Sequence, residues 1–210
     1  MILVNAPTPF YQFENLSKFS DRVTHFISTR NYNNDSRFTI GMNEYLSEKG
    51  VIANRQILAN QFNFAPNSYV FAEQVHGNIV EFINSQKRGM GAFSKSTALP
   101  HSDAMITHLP DICLVAQAAD CVPILFYDPV NNAIASAHAG WKGTVLKIAG
   151  EVIKSFQKIY NSKPNDIVVG IGPSIGPCCY EVGDEVVERV KESFQNIDKL
   201  VISNPKFSKP

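Results

Sequence analysis

The chain has 210 residues, of which 44% are hydrophobic, so it is long and apolar enough to bury a sizeable core as one domain spanning residues 1–210. Nineteen basic residues balance nineteen acidic ones, which argues against nucleic acid or an anionic membrane as a partner. No stretch approaches the roughly 20 apolar residues that span a bilayer, and residues 1–13 lack the pattern of a signal peptide. We therefore expect a cytoplasmic, monomeric protein.

The first half of the chain predicts short strands around one helix. A polar, asparagine-rich stretch at 31–36 has neither periodicity nor apolar content, and we expect a loop there. A helix is expected from Ser47 to Gln61, with Ser47 as its N-cap and with Ile57 and Leu58 on its buried face. The strands expected here are 10–13, 23–27, 68–75 and 79–83, and residues 87–100 are expected to form a loop.

The second half of the chain predicts a sheet covered by helices. Ile148, Val152 and Phe156 belong to the clearest amphipathic pattern in the sequence, and this helix must cover one face of the sheet. Another helix is expected over 183–194. Glycines and prolines give the segment 172–180 an irregular but rigid backbone, of the kind that commonly lines a pocket. The strands expected in this half are 103–107, 112–118, 124–127, 133–137 and 166–171.

Two potential metal ligands, Cys121 and His138, each lie where an apolar strand stops. The turn-forming residues 128–132 predict a hairpin between the strands 124–127 and 133–137, and this hairpin returns the chain to where it began. Cys121 and His138 are therefore expected at the same end of one sheet. Gly140 and Gly143 follow and would let the backbone approach closely, while Trp141 would wall one side.

The four cysteines do not resemble a disulfide framework, because they are few for this length and two of them are adjacent. In a reducing compartment they are expected to be thiols or metal ligands. Cys113 lies within an apolar strand and is expected in the core. Cys178 and Cys179 are equally compatible with a functional role and with a structural one. His25, His101 and His108 are expected on the surface.

Four motifs carry a resemblance to a known family: Glu73-Gln74-Val75-His76-Gly77, Ala119-Asp120-Cys121-Val122-Pro123, His138-Ala139-Gly140-Trp141-Lys142-Gly143 and residues 172–183, Gly-Pro-Ser-Ile-Gly-Pro-Cys-Cys-Tyr-Glu-Val-Gly. In this order they resemble the YfiH-like laccase-domain proteins, also called peptidoglycan editing factors and multifunctional purine nucleoside phosphorylases. The resemblance extends from about Arg22 to Val187. It implies an α+β fold, a four-layer αββα sandwich with mixed β-sheets, and activity on adenosine, inosine and methylthioadenosine.

The same resemblance implies a zinc ion bound by His76, Cys121 and His138, which are also the expected catalytic residues. One cysteine and two histidines satisfy the nitrogen and sulfur preference of zinc, and three protein ligands leave a fourth position open, as in catalytic zinc sites. Copper is the less favoured alternative, because multicopper chemistry needs far more histidines than the five present.

The sequence departs from the family pattern at several positions. The Gly-Gly pair usual soon after the Ser-Thr-Arg of residues 28–30 is missing, and Thr39 stands where the family has an asparagine. The chain also stops at Pro210, before the family's closing segment with its arginine-rich strand. We therefore expect a domain that lacks the family's C-terminal segment and has part of the substrate site altered.

Phosphorolysis of a nucleoside requires cationic groups that hold phosphate in line with C1′. Arg30, Arg55 and Lys142 are the candidates for binding the substrate phosphate, although each arginine could instead pair with a carboxylate. The backbone N–H groups of the turn at 140–143 offer a further anion cradle. Small-molecule purine nucleosides and phosphate are thus the expected partners.

Two alternative functions remain open from the residues. Cys121 could act as the nucleophile of a cysteine hydrolase with His138 as its base, a pairing that needs no metal. A non-catalytic zinc-binding protein is the other alternative. The role of His76 separates these possibilities, because it has no part in a Cys121–His138 dyad.

Overall fold

The computed structural model describes residues 1–33, 38–42 and 46–202, and this part of the chain combines helices with mostly short strands. Residues 34–36 of the expected polar loop lie outside the described residues. The helices are α1 (Glu14–Ser17), α2 (Glu48–Gln61), α3 (Trp141–Val145), α4 (Ile148–Tyr160) and α5 (Asp184–Ser193). The strands are β1 (Ile2–Val4), β2 (Phe10–Gln12), β3 (Ile27–Ser28), β4 (Tyr69–Phe71), β5 (Val80–Phe82), β6 (Ala104–Thr107), β7 (Cys113–Val115), β8 (Val122–Asp128), β9 (Ala133–Ala139) and β10 (Val168–Ile171).

The strands form three sheets. The central sheet has five strands in the order β10-β8-β9-β6-β5, and it is mixed, because β5 and β6 are parallel whereas the other neighbours are antiparallel. Strands β4 and β7 form a parallel pair, and β1, β2 and β3 form a small antiparallel sheet. Within the described ranges, none of the helices has the length and apolar character needed to cross a bilayer.

The layers are built by alternation along the strands. On one face of the central sheet, alanines of β9 and Phe126 of β8 pack against Val152 and Phe156 of α4. On the opposite face, Met105 of β6 packs against Val70 of β4. The far side of β4 presents Tyr69 and Phe71 to Ala59 of α2. The order α4, central sheet, β4–β7 pair and α2 is the expected four-layer αββα sandwich, and the prediction of this α+β fold is confirmed.

The expected hairpin is confirmed as β8 and β9, which pair antiparallel over their full length. Its register sets Val122 opposite Ala139 and Pro123 opposite His138. Asn132, in the turn, has a φ of 50°, in the left-handed region that asparagine tolerates better than most residues. The hairpin therefore brings Cys121, directly before β8, to the end of the sheet that carries His138.

Two expectations for the N-terminal region are wrong. The strand expected over 23–27 is only Ile27–Ser28. Val23 ends a helical turn, in which its N–H donates to the Phe19 carbonyl at 2.9 Å, and residues 24–26 belong to no strand. His25 is buried rather than on the surface, and its Nε2 accepts the Phe13 N–H at 2.9 Å. Desolvation by burial lowers the pKa of His25. His25, which the sequence pattern predicted to be on the surface, is thus buried and stacks on the Phe13 ring.

Candidate metal centre

Three potential ligands from separate elements converge at the open end of the β8–β9 hairpin. Cys121 precedes β8, His138 is the penultimate residue of β9, and His76 lies in the turn between β4 and β5. One ligand atom from each of them lies within 4.8 Å of the others. His138 is buried, Cys121 is half-buried and His76 is exposed, so this ligand cluster is open to solvent on the His76 side.

The turn that carries His76 is held by the buried carboxylate of Asp103, at the entrance to β6. Asp103 accepts the backbone N–H of Val75 at 3.2 Å, of His76 at 2.9 Å and of Gly77 at 2.7 Å. His76 itself has a φ of 62°, a left-handed backbone that costs a non-glycine residue free energy and clusters at functional sites. Asp103 therefore stabilises the strained backbone conformation that places His76 beside Cys121 and His138.

The same carboxylate orients His138. Asp103 Oδ1 lies 2.9 Å from His138 Nδ1, and because a carboxylate is an acceptor, Nδ1 must carry the hydrogen. That tautomer leaves the Nε2 lone pair free for a ligand, the arrangement usual for metal-binding histidines. The backbone N–H of His138 also donates to the Asp103 carbonyl at 2.7 Å. Asp103 thus positions two of the three cluster residues.

Sequence reasoning missed Asp103, which it treated only as the first residue of a strand. Its partners lie 26 to 35 positions away along the chain. Three of those partners are backbone N–H groups, which no residue pattern reveals. The one available signal was an acidic residue at the start of an otherwise apolar strand.

Gly140 and Gly143 allow the close approach that the sequence predicted. A Cβ added at Gly140 would lie 2.6 Å from His76 Cδ2 and 3.2 Å from Cys121 Sγ. A Cβ at Gly143 would lie 2.8 Å from the Gly77 carbonyl oxygen. Any side chain at Gly140 would therefore push into the space between two of the three ligands.

The donor set fits one metal ion. Burial, together with the charges of Asp120 and Asp103, raises the pKa of the Cys121 thiol, so the thiolate that a metal requires needs a compensating cation. Two imidazoles and a thiolate match the preference of zinc. Throughout the described part of the chain this is the one group of three or more His, Cys, Asp or Glu side chains that could hold an ion. The geometry suits a single ion rather than a multicopper cluster.

A wide cavity of about 1910 Å³ opens over the ligand cluster. Arg30 lines this cavity and is exposed. Lys142 is also exposed, and its Nζ lies 5.5 Å from the centre of the Trp141 ring. In the first turn of α3, the N–H groups from Trp141 to Gly143 have no intrahelical acceptor, as at the start of any helix. Of these groups, Arg30 thus shares the cavity with the ligand cluster.

Arg55, the third phosphate candidate, has a different environment. It is only 3% exposed, and its guanidinium donates to the carbonyls of Ile40, Gly91 and Ala92. It lies 3.7 Å above the Phe71 ring, and desolvation lowers its pKa to about 10. It lines a separate cavity of about 350 Å³. The structure thus places Arg55 in a different cavity from Arg30.

The fold and the cluster together define an αββα protein with one candidate metal centre at the open end of its central hairpin. The profile of the family described as multi-copper polyphenol oxidoreductase laccase matches residues 19–208. The chain belongs to this family, and the YfiH-like laccase-domain assignment that the four motifs predicted is confirmed.

Two relatives are similar over much of the chain. Purine nucleoside phosphorylase YlmD of Bacillus subtilis is 41% identical over 151 residues, which cover 72% of this chain and 54% of the relative. Adenosine deaminase RL5, from an unknown prokaryotic organism, is 32% identical over 197 residues, covering 92% of this chain and 75% of the relative. The chain thus spans about half the length of the Bacillus subtilis relative.

A solved structure has the same fold. The crystal structure of Bacillus licheniformis hypothetical protein YfiH superposes with a TM-score of 0.87 at 33% sequence identity. The match covers 96% of this chain and 76% of that chain. The layer order described above is therefore found in an experimental structure of a related sequence.

Proposed function

We propose that the chain is a zinc-dependent purine nucleoside phosphorylase that acts on adenosine, inosine and methylthioadenosine, with adenosine deaminase activity in addition. The observation that carries this proposal is the ligand cluster of His76, Cys121 and His138, whose ligand atoms lie within 4.8 Å of one another below an open cavity. The names of two relatives, a purine nucleoside phosphorylase and an adenosine deaminase, support the choice of substrate.

In this proposal His76, Cys121 and His138 hold the zinc ion. Zinc bound there would supply a Lewis acid that makes water a stronger nucleophile at neutral pH. Copper is the alternative occupant of the same cluster. The chain contributes the geometry, because the Asp103 carboxylate fixes the His138 tautomer and the turn that carries His76.

Phosphorolysis requires that phosphate lie in line with the glycosidic bond and that the negative charge on the leaving purine be stabilised. Arg30 is the first candidate for the phosphate contact, since it is exposed and lines the cavity that holds the cluster. Lys142 is the second. Arg55 is the third candidate. To contact phosphate, its buried guanidinium would have to release one of the backbone carbonyls to which it donates.

One observation favours the cysteine hydrolase as a second candidate. Asp103 orients His138 beside Cys121, which is the order of groups in a nucleophile, base and orienting acid. Two features oppose it. Burial and nearby carboxylates raise the pKa of Cys121, and none of the hydrogen bonds among the described residues joins Cys121 to His138. A metal-free nucleophile would need a lowered thiol pKa and a hydrogen bond to its base.

The decisive assay incubates the zinc-loaded protein with adenosine and inorganic phosphate and separates the products by chromatography. We expect adenine from phosphorolysis, inosine from deamination, and hypoxanthine from phosphorolysis of that inosine. Unchanged adenosine at high protein concentration, with zinc bound, would contradict the proposal and favour a non-catalytic zinc-binding protein.

Alkylation of Cys121 distinguishes the metal ligand from the nucleophile. As a ligand, its thiolate is shared with the ion and resists alkylation until a chelator removes the metal; as a nucleophile, it alkylates readily in untreated protein. His76→Ala should lose zinc and activity together. Full activity in His76→Ala, with rapid alkylation of Cys121, would establish the cysteine hydrolase instead.

A further inference from the structure

Cys178 and Cys179 form a pair of exposed thiols whose sulfur atoms lie 3.3 Å apart. Adjacent residues usually direct their side chains apart, so this contact requires a particular backbone. Gly176 provides it, because its carbonyl accepts the N–H of Cys179 at 3.0 Å and of Tyr180 at 3.1 Å. The tight turn therefore gathers both thiols on one side of the loop.

The loop that carries this pair is tied to the residues around Cys121. The Gly172 N–H donates to the Pro123 carbonyl at 2.8 Å, and the Ile175 N–H donates to the Asp120 carbonyl at 3.0 Å. A Cβ at Gly172 would lie 2.7 Å from Pro123 Cγ, so the two segments touch. The loop is thus fixed on both sides of the metal-ligand cysteine.

The same loop forms part of the wall of the cavity over the cluster. Pro173, Ser174 and Ile175 line the cavity together with the three ligands. Tyr180, which follows the thiol pair, is held in the same turn, because its N–H donates to the Gly176 carbonyl at 3.1 Å. The thiol pair therefore lies on the same loop as three residues of the cavity wall.

We propose that Cys178 and Cys179 are a redox modification site, a dithiol that a low-molecular-weight disulfide oxidises to a bond between the two adjacent sulfurs. In the first step one thiolate attacks the reagent, forming a mixed disulfide and releasing one reduced thiol. In the second step the neighbouring thiolate attacks the protein sulfur of that mixed disulfide and releases the second reduced thiol. The two cysteines lose two protons and two electrons, and the reagent gains both.

Contact between the sulfurs favours the second step, because the attacking thiol is already beside the mixed disulfide. The product is strained, since consecutive Cα atoms are about 3.8 Å apart whereas disulfides usually join Cα atoms about 4.4–6.8 Å apart. Strained and exposed disulfides are readily reduced again. A reversible modification is therefore the expected behaviour, rather than a permanent structural bond.

The other two cysteines are poorly suited to this chemistry. Burial raises the pKa of Cys113 to about 12, and its thiol packs in the core beside β4. Cys121 belongs to the ligand cluster. Because Cys178 and Cys179 are exposed whereas burial shields Cys113, oxidation by an external disulfide should concentrate at the pair on the loop.

The test treats the full, zinc-loaded chain with oxidised glutathione and analyses the tryptic peptide that carries both cysteines by mass spectrometry. We expect the wild-type peptide to lose the mass of two hydrogen atoms, and dithiothreitol to restore the original mass. A stable glutathione adduct on this peptide, or no change in its mass, would overturn the proposal. The readout does not depend on phosphorolysis or on any other activity.

Single substitutions sharpen the test. Cys178→Ser and Cys179→Ser each remove the thiol that resolves the mixed disulfide, so each should accumulate the glutathione adduct that the wild-type protein does not retain. Cys113→Ser is the matched control and should behave as the wild-type protein does. Ring closure that persists in Cys178→Ser or Cys179→Ser would mean that another cysteine is the partner and would also overturn the proposal.

Discussion

The two ends of the β8–β9 hairpin are each organised around a buried carboxylate. At the turn end, Asp128 accepts the backbone N–H of Val130 at 2.8 Å and of Asn131 at 3.2 Å, together with the Asn131 amide and the Ser162 hydroxyl. At the open end, Asp103 accepts three backbone N–H groups and the His138 ring. Burial and the number of donors are therefore similar.

The two ends differ in where the partners of the carboxylate lead. Among the residues that the structure describes, every donor to Asp128 belongs to the turn or is Ser162, so these contacts stabilise the turn and reach no ligand. Asp103 instead holds His138 and the turn of His76, whose free ligand atoms face a shared space under a cavity. A buried carboxylate by itself is thus a poor sign of function. The informative feature is an oriented partner with an unused ligand atom.

The largest expected effect tests whether metal binding requires the absence of a side chain at Gly140, between His76 and Cys121. Gly140→Ala would place a methyl group 2.6 Å from His76 Cδ2, so His76 must move and the protein should lose zinc. Metal analysis of the purified variant measures this. Gly183→Ala is the matched control, because a Cβ there meets no atom within 4 Å. Equal zinc content in the two variants would contradict the geometry of the cluster.

The next effect tests Asp103 as the residue that positions the ligands. In Asp103→Asn the amide nitrogen replaces one acceptor oxygen, so a backbone N–H of the 75–77 turn or the His138 ring loses its partner. Loss of such a supporting contact typically lowers metal affinity about 10- to 100-fold. Competition with a chromophoric chelator measures the affinity. An unchanged metal affinity in a folded variant would show that His76 and His138 keep their positions without the Asp103 carboxylate.

The position of the cluster was predictable because its main determinant is local. The apolar runs 124–127 and 133–137 and the turn residues between them predict the hairpin, and the hairpin places Cys121 beside His138. His76 was included through the family motif. The contribution of Asp103 depends on backbone N–H groups about 26 residues away, and such contacts leave no periodic signal in a sequence.

Arg55 shows a second limit of sequence reasoning. A helical arginine was expected to be available for phosphate, but carbonyls from two separate segments and the Phe71 ring enclose its guanidinium. His25 is the same kind of case, since Phe13 supplies both a stacking ring and an N–H donor. The burial of a polar side chain depends on which distant segments pack over it, and a residue pattern predicts that packing only for apolar faces.

A smaller effect is expected when the other buried carboxylate is changed. Asp128→Asn leaves at least one of its donors facing an amide N–H, and an unsatisfied buried donor costs about 1–3 kcal/mol. The free energy of unfolding should therefore fall while the zinc content stays at the wild-type level. Urea denaturation and metal analysis measure the two quantities. Loss of zinc from this variant would mean that the two ends of the hairpin are coupled.

The smallest effect is the pH dependence that Asp128 confers. Burial acts to raise the pKa of this carboxyl, but hydrogen bonds from Asn131, Ser162 and Val130 outweigh burial and lower it. Because the folded-state pKa lies below the unfolded value of about 3.9, this contribution to stability is present above that pH and is lost as the pH falls through the folded pKa. The difference in unfolding free energy between the wild-type protein and Asp128→Asn should therefore shrink below about pH 4. Other carboxyls titrate alike in both proteins and cancel in this difference. Urea denaturation of both proteins across the acidic range measures it, and a difference that grew towards acid would show that burial, and not hydrogen bonding, dominates at the turn.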